Sequence, residues 1–429
     1  MYSSYNTRSN RVDNCTTYFN MTEQCRKLTE IGFRATYIGR NVSENEQIES
    51  GEFDFVFGSP ELLVGDKKWR GILKSNVYQE KLKLIAIDEA HTVISWGEPS
   101  KNDDPFREWF SRLGELRSLC PSVPLAALTA TSGPSQRRKI MKSLCLAATA
   151  AVVLESPDRT NIKISTVSIP NKDNLEHVFE WLINSIKMLK DKMPRHVIFC
   201  TTIADVSKLY LMFVKLLGNS CEHFQMFHSK TNEKVKEKIR HDMAMDGKIR
   251  ILICTNSAGM GVNFYGVHNI IHYGLPREMD TFVQQMGRAG RDGTLSDELV
   301  LFKPHKGHMK KVECDLVRFV KDKTMCKHQL LCCSYMTKPT SIAPLHNCCD
   351  VCEKKCTCGE EACPRTHVAA VATQHDSDSS NEESMNRVVS SESRELLRNK
   401  LEAFKISLMD NTSGALLHHE VIHGLTDTV

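Results

Sequence analysis

The chain has 429 residues, 25% of them charged and 41% hydrophobic, with a formal net charge of +4. That length holds two or three domains with ample core, and the balance is ordinary for a globular protein, so charge alone says nothing about a polyanionic partner. No run of about 18 apolar residues occurs, which argues against a membrane span. Residues 1 to 22 are polar, carry no signal-peptide core and stay unassigned. Phe53 to Phe57 predicts a strand stopping at Gly58-Ser59-Pro60-Glu61. Leu82 to Ile87 predicts a second, ending at Asp88-Glu89-Ala90-His91, and Leu125 to Leu128 a third, ending at Thr129-Ala130-Thr131. Strands separated by helical patterns imply βαβ units around a parallel sheet, and all three polar strings fall at the strand ends where such sheets bind ligands.

Glu155 to Asn161 reads as a linker punctuated by Pro157. A second alternating region follows, with strands at His196 to Cys200, Phe224 to Phe227, Ile249 to Cys254, Val267 to His272 and Glu298 to Phe302. Helices are predicted over Ala204 to Leu217 and Asn232 to Met245. Nine of the 17 cysteines fall between Cys326 and Cys363. Such clustering without a signal peptide favours a metal site over disulfides. The acidic, serine-rich stretch Asp376 to Glu383 reads as disordered, and Ser393 to Met409 as a short helix before a polar tail.

Two strings carry chemistry. Gln284 precedes Gly287-Arg288-Ala289-Gly290-Arg291-Asp292-Gly293, which sets two arginines about one helical turn apart. Arginine forks present planar, permanently charged donors, and one reaching a γ-phosphate neutralises charge that builds in the transition state. Asp88-Glu89-Ala90-His91 ends a strand where an NTPase holds its magnesium carboxylate. Acids also favour helix starts, so the tetrad alone has a purely structural reading. His228 and His272 are read as structural, and Trp96 and Trp109 fit either base stacking or core packing.

The order of these strings resembles a superfamily-two helicase, and more narrowly the RecQ family, over roughly residues 23 to 355. The resemblance runs from Met21-Thr22-Glu23-Gln24-Cys25 through Ser59-Pro60-Glu61, Asp88 to His91 and Thr129-Ala130-Thr131. Trp96-Gly97 with Phe106-Arg107-Glu108-Trp109 is similar to the family's aromatic-rich loop, Thr255 to Asn263 to its motif V, and Gln284 to Arg291 to its motif VI. The resemblance implies an ATP-dependent 3′-to-5′ DNA helicase acting in the nucleus in DNA repair and recombination. Its partners are single-stranded and branched or duplex DNA, and no membrane.

By the same resemblance Asp88, Glu89, Ala90, His91, Arg288 and Arg291 are the catalytic set, with ATP and Mg²⁺ as cofactors. Gln284, Gly287, Thr129 and Thr131 contact the nucleotide. Trp96, Phe106, Arg107, Trp109, Thr255, Gly259, Gly261 and Asn263 bind DNA or couple it to hydrolysis. Cys326, Cys348, Cys349 and Cys352 resemble the family's zinc-binding module in its Werner-type version, a closed Zn²⁺ site of the structural kind. Cys332, Cys333, Cys356, Cys358, Cys363 and His346 remain competing ligands.

The expected architecture is α/β: two RecA-like parallel-sheet lobes (the first incomplete), then a helical zinc-binding module and a disordered tail. The limits are 23–155 and 156–305 for the lobes, 306–365 for the module, 366–395 for an acidic linker and 396–429 for the tail. Two departures from the family pattern stand out. Glu98 to Pro105 makes the aromatic loop longer and more acidic, and Asn263 replaces the usual aspartate. The phosphate-cradling string Gly-x-x-x-x-Gly-Lys-Ser/Thr does not occur, so the first lobe is expected to lack it. A non-catalytic DNA-binding or regulatory protein, and an incomplete gene model, are the alternatives.

Overall fold

A computed structural model describes residues 21–97, 105, 107–170, 174–218, 220–256 and 264–358. The expected serine-rich linker, the tail helix, Phe106 and the stretch from Ser257 to Asn263 lie outside the described residues.

The second lobe is one six-stranded, wholly parallel sheet. Its strands are β5 (Ile162–Ser168), β6 (Arg195–Cys200), β7 (Phe224–Phe227), β8 (Ile251–Cys254), β9 (Val267–Tyr273) and β10 (Ser296–Phe302). They are ordered β5-β10-β9-β6-β8-β7. Such a sheet is covered on both faces, so its strands are buried nearly throughout rather than alternately. Successive residues feed two different cores. Val197, Phe199, Leu252, Cys254, Ile270 and Val300 pack on one side. Ile198, Cys200, Ile251, Ile253, Ile271 and Leu301 pack on the other.

The helix Ile203–Leu217 covers the second of these faces with Val206, Leu209, Met212 and Phe213, a helical spacing. Its start is closed reciprocally: the Thr202 hydroxyl accepts from the Asp205 amide at 3.1 Å and donates to the Asp205 carboxylate at 2.6 Å. Gly218, at φ 86°, ends it where other residues would be strained.

The first lobe contributes two pairs of short parallel strands, β1 (Ala35–Tyr37) with β2 (Phe55–Phe57) and β3 (Ile85–Ile87) with β4 (Leu125–Ala127). The strands predicted from Phe53, Leu82 and Leu125 are present but shorter at their ends. Val64, Leu73, Val93, Phe110, Leu116 and Leu144 are among the buried residues that knit helices around the second pair.

Two strands escaped the sequence reading, β1 and β5. The second matters more, because Lys163, Ser165 and Thr166 on it are buried yet polar. Their partners lie in the cysteine-rich module: Lys163 Nζ sits 3.0 Å from the Glu353 carboxylate, and the Thr166 hydroxyl donates to Asp350 at 2.7 Å. The module also extends the sheet, since Ile164 N–H donates to the Cys348 carbonyl at 3.1 Å in a parallel bridge. An edge strand that would otherwise expose unpaired backbone is thereby covered.

Candidate nucleotide cleft and cysteine cluster

Backbone pairing in the first lobe aligns the two strand-end strings. Leu128 N–H donates to the Ile87 carbonyl and Ala90 N–H to the Leu128 carbonyl, both at 2.8 Å. Asp88 to His91 and Thr129 to Thr131 therefore lie side by side beyond the carboxyl ends of β3 and β4. Glu89 adopts a left-handed backbone at φ 48°, uncommon for a non-glycine residue. Ala90 is fully buried beside it, while Asp88 and Glu89 present exposed carboxylates. The Asp88 side chain accepts from the Glu89 amide at 2.9 Å.

His91 joins these strings. Its Nδ1 stands 3.1 Å from the Thr129 hydroxyl and 3.2 Å from the Glu89 carboxylate. The hydrogen bond from His91 holds the Glu89 carboxyl below its ordinary range against the effect of burial, with the charges of His91 and Arg288 assisting. Its Nε2 lies 3.2 Å from the Gln284 side-chain amide of the other lobe, which also donates to the Thr131 hydroxyl at 3.1 Å. The helix Met279–Met286 thus delivers Gln284 to both first-lobe strings at once.

Past that helix the chain turns through Gly287 into the two arginines. Burial, reinforced by the Arg291 charge, pushes Arg288 down to about 10, so it stays charged at neutral pH. Its guanidinium lies 5.6 Å from the Phe264 ring centre. Arg291 is solvent-exposed.

Gly290 is required where it stands. At φ 54°, a Cβ there would come within 2.4 Å of Asn161 Nδ2 and 2.6 Å of Ser296 Oγ. The Gly290 carbonyl accepts from Arg159 at 2.6 Å and from Asn161 at 2.9 Å. The segment read as a linker is therefore a clamp on the arginine loop. A polar Asp-Arg-Thr-Asn run was the only signal, and its partner is a backbone carbonyl that no sequence pattern reports.

The aromatic loop is tightly packed where it is described. Arg107 makes a two-pronged pair with Glu61 at 2.8 Å on each arm, and its guanidinium stacks 4.8 Å from the Phe110 ring centre and 5.7 Å from Trp96. Trp96 meets Phe110 edge-on at 5.1 Å, and the Trp109 ring would lie 3.1 Å from a Cβ placed on Gly65, a tight contact. Both tryptophans are half-buried against the first-lobe core. Of the motif V residues, Thr255 is described and its amide donates to the Phe227 carbonyl at 3.2 Å, whereas Gly259, Gly261 and Asn263 lie outside. The neighbouring Asn256 accepts from Gln285 at 3.1 Å. Gln285 reaches His272 at 2.7 Å, and His272 reaches the fully buried Glu298 at 2.5 Å. His272 is thus a buried, partnered structural residue.

Cys326, Cys348, Cys349 and Cys352 converge, with all four sulfurs within 4.8 Å of one another. Cys326 Sγ is 3.5 Å from Cys348 Sγ and 4.0 Å from Cys349 Sγ. Tetrahedral zinc with Zn–S bonds of about 2.3 Å needs sulfur separations of about 3.8 Å, so the donor set is compatible with zinc. Amides of Lys327 and Cys352 donate to Cys349 Sγ at 3.5 and 3.4 Å, as suits a thiolate. Behind the cluster, His328 bridges the Cys348 carbonyl at 3.1 Å and Asp158 at 2.5 Å. The competing Cys332 instead lies against Ser156 at 3.5 Å.

Residues 177–293 match the family model for the helicase conserved C-terminal domain, a span that includes the whole Gln284 to Gly293 string. An ATP-dependent DNA helicase RecQ from Pasteurella multocida is 26% identical over 290 residues, covering 66% of this chain and 42% of its own length. The bifunctional 3′-5′ exonuclease/ATP-dependent helicase WRN of Mus musculus is 27% identical over 286 residues, 66% of this chain and 19% of its own. The chain resembles the RecQ family of superfamily-two helicases, which the matched domain and these relatives support. It spans less than half the length of either RecQ-family relative. Among solved structures, S. cerevisiae Dbp5 bound to RNA and ADP BeF3 aligns with a TM-score of 0.50 at 17% identity, covering 68% of this chain and 73% of that one. At that identity the likeness concerns the fold, two RecA-like helicase lobes of parallel α/β build.

Proposed function

We propose that this RecQ-like protein is an ATP-dependent DNA helicase moving 3′ to 5′, with ATP and Mg²⁺ held in the cleft between its lobes. The observation that carries the reading is the Gln284 bridge to His91 and Thr131, which joins motifs of both lobes at hydrogen-bond distance. Asp88 would hold magnesium, which would supply charge neutralisation of the phosphates. Glu89, kept ionised by His91, orients and deprotonates the attacking water. Arg291 and Arg288 stabilise the charge that develops on the γ-phosphate, and Thr129 and Thr131 report nucleotide state through His91 and Gln284. Trp96, Phe106, Arg107 and Trp109, with Thr255, Gly259, Gly261 and Asn263, couple that state to the DNA. The Cys326, Cys348, Cys349 and Cys352 set holds a structural zinc.

DNA rather than RNA is inferred from the names of the RecQ relatives, as are work in repair and recombination and a nuclear location. Strand displacement tests the reading. Duplexes with a 3′ single-stranded tail should be unwound in the presence of ATP, and duplexes with a 5′ tail should not. Unwinding with the opposite polarity overturns the directional part.

A second reading keeps DNA and zinc binding without hydrolysis. It is favoured by one observation: no Gly-x-x-x-x-Gly-Lys-Ser/Thr string lies within the 429 residues. Tight DNA binding with no ATP-dependent displacement of either duplex is the outcome that selects it.

A further inference from the structure

Three potential ligands of the cysteine-rich region stand apart from the four-sulfur cluster. His346, Cys356 and Cys358 bring their donor atoms within 4.8 Å of one another as a separate group. His346 Nδ1 is 3.5 Å from Cys356 Sγ and 3.5 Å from Cys358 Sγ. A tetrahedral zinc ion with bonds of about 2.1 Å to nitrogen and 2.3 Å to sulfur needs a nitrogen–sulfur separation of about 3.6 Å. Both observed separations match that edge, although nothing holds these side chains together covalently.

The backbone explains why they meet. The 3-10 turn Leu345–Asn347 buries His346, at 4% exposure, directly before Cys348 and Cys349 of the first cluster. The short helix Asp350–Glu353 then carries Cys352 inward. Its continuation is wound back by the Lys355 amide donating to the Cys352 carbonyl at 2.9 Å and the Cys356 amide to the Glu353 carbonyl at 3.1 Å. That turn returns Cys356 and then Cys358 to the imidazole. The ligand order along the chain is therefore interleaved, with His346 before and Cys356 and Cys358 after three of the four residues of the first cluster.

We propose that His346, Cys356 and Cys358 form a second metal site for a thiophilic divalent cation, zinc being the natural occupant of two thiolates and an imidazole. Cys356 is half-buried and Cys358 exposed, and among the described residues these three side chains make up the group. Its role is structural. A metal here closes the loop from 346 to 358 around Cys348, Cys349 and Cys352, so the first metal cannot leave without the second site opening or the loop straining. Each thiol gives up its proton to solvent on binding and no redox change is involved.

The test is metal content of the purified full chain, kept under a thiol reductant, saturated with zinc and then freed of loosely held ion by gel filtration. Two zinc ions per chain are expected, and the Cys356→Ser/Cys358→Ser double variant should hold one. Replacement by cobalt(II) gives a second readout, because sulfur-to-cobalt charge-transfer absorption follows the number of thiolates bound. That absorption should fall by about a third in the double variant while the four-thiolate spectrum persists. The persisting spectrum also reports that the variant has folded. Zinc release from the double variant to a chelator should be faster than from the native chain. One zinc per native chain, or two in the double variant, overturns the proposal. These outcomes concern metal alone and stay the same whether or not the chain hydrolyses ATP.

Discussion

The interlobe cleft and the cysteine module use similar polar groups but hold them differently. In the cleft, Asp88, Glu89 and Arg291 are exposed, and the Gln284 side chain reaches across to Thr131 and His91 at 3.1 and 3.2 Å. In the module, the Asp158–His328 pair is almost wholly enclosed, Lys327 is fully buried and donates to the Phe319 and Asp322 carbonyls, and a backbone bridge fixes Cys349 beside β5. A neutral hydrogen bond contributes about 1 kcal/mol net, whereas breaking one side of a buried ion pair costs about 3–5 kcal/mol. The cleft contacts are thus weak enough to be made and broken readily, and the module is built to stay shut. Tyr335 of the module donates to Asp280 at 2.5 Å on the helix that carries Gln284, so the rigid part supports the movable one.

The largest expected effect tests the rigid side. Cys349→Ser should abolish zinc retention at the first cluster and unfold the module, a loss on the order of 10 kcal/mol of metal-linked folding energy, read by metal content and thermal melting. Next, Asp158→Ala strands His328 and should cost about 3–5 kcal/mol in urea unfolding, with less lost in Asp158→Asn. A cost under about 1 kcal/mol would place the module in the same loose class as the cleft.

Gly290→Ala should come third. The added methyl meets Asn161 and Ser296, so the arginine loop must leave its clamp, at about 1–3 kcal/mol and with a clear fall in any hydrolysis.

Glu298 gives a smaller, pH-dependent effect. Burial raises its carboxyl above the ordinary range, opposed by the charge and hydrogen bond of His272. A raised carboxyl stabilises the folded state most at low pH, and that contribution fades as pH climbs from the unfolded value through the folded one. Glu298→Gln should therefore gain stability relative to the native chain over the interval that opens at the ordinary Glu value of about 4.3 and runs upward in pH. Urea melts across that interval that stay parallel would contradict it. Smallest in stability is Gln284→Ala, expected to cost about 1 kcal/mol or less while uncoupling the lobes.

Much of the second lobe was legible because a parallel sheet covered on both faces needs continuous apolar runs, as at Val197 to Cys200 and Ile251 to Cys254. β5 was not, because Lys163 and Thr166 are satisfied by Glu353 and Asp350, more than 180 residues away. The strings at Asp88, Thr129 and Gln284 could be read, since their chemistry is local. Their meeting through His91 and the grip of Arg159 on Gly290 could not. Nor could spacing alone divide the cysteines, because many groupings of Cys326 to Cys358 satisfy it equally.

The most direct test of the motor reading is ATP hydrolysis by the purified chain, with and without single-stranded DNA, beside Glu89→Gln. The account predicts DNA-stimulated hydrolysis in the native chain and a fall of about a hundredfold or more in the variant, with DNA binding kept. Equal hydrolysis in the two, or none in a native chain that still binds DNA and zinc, would contradict it.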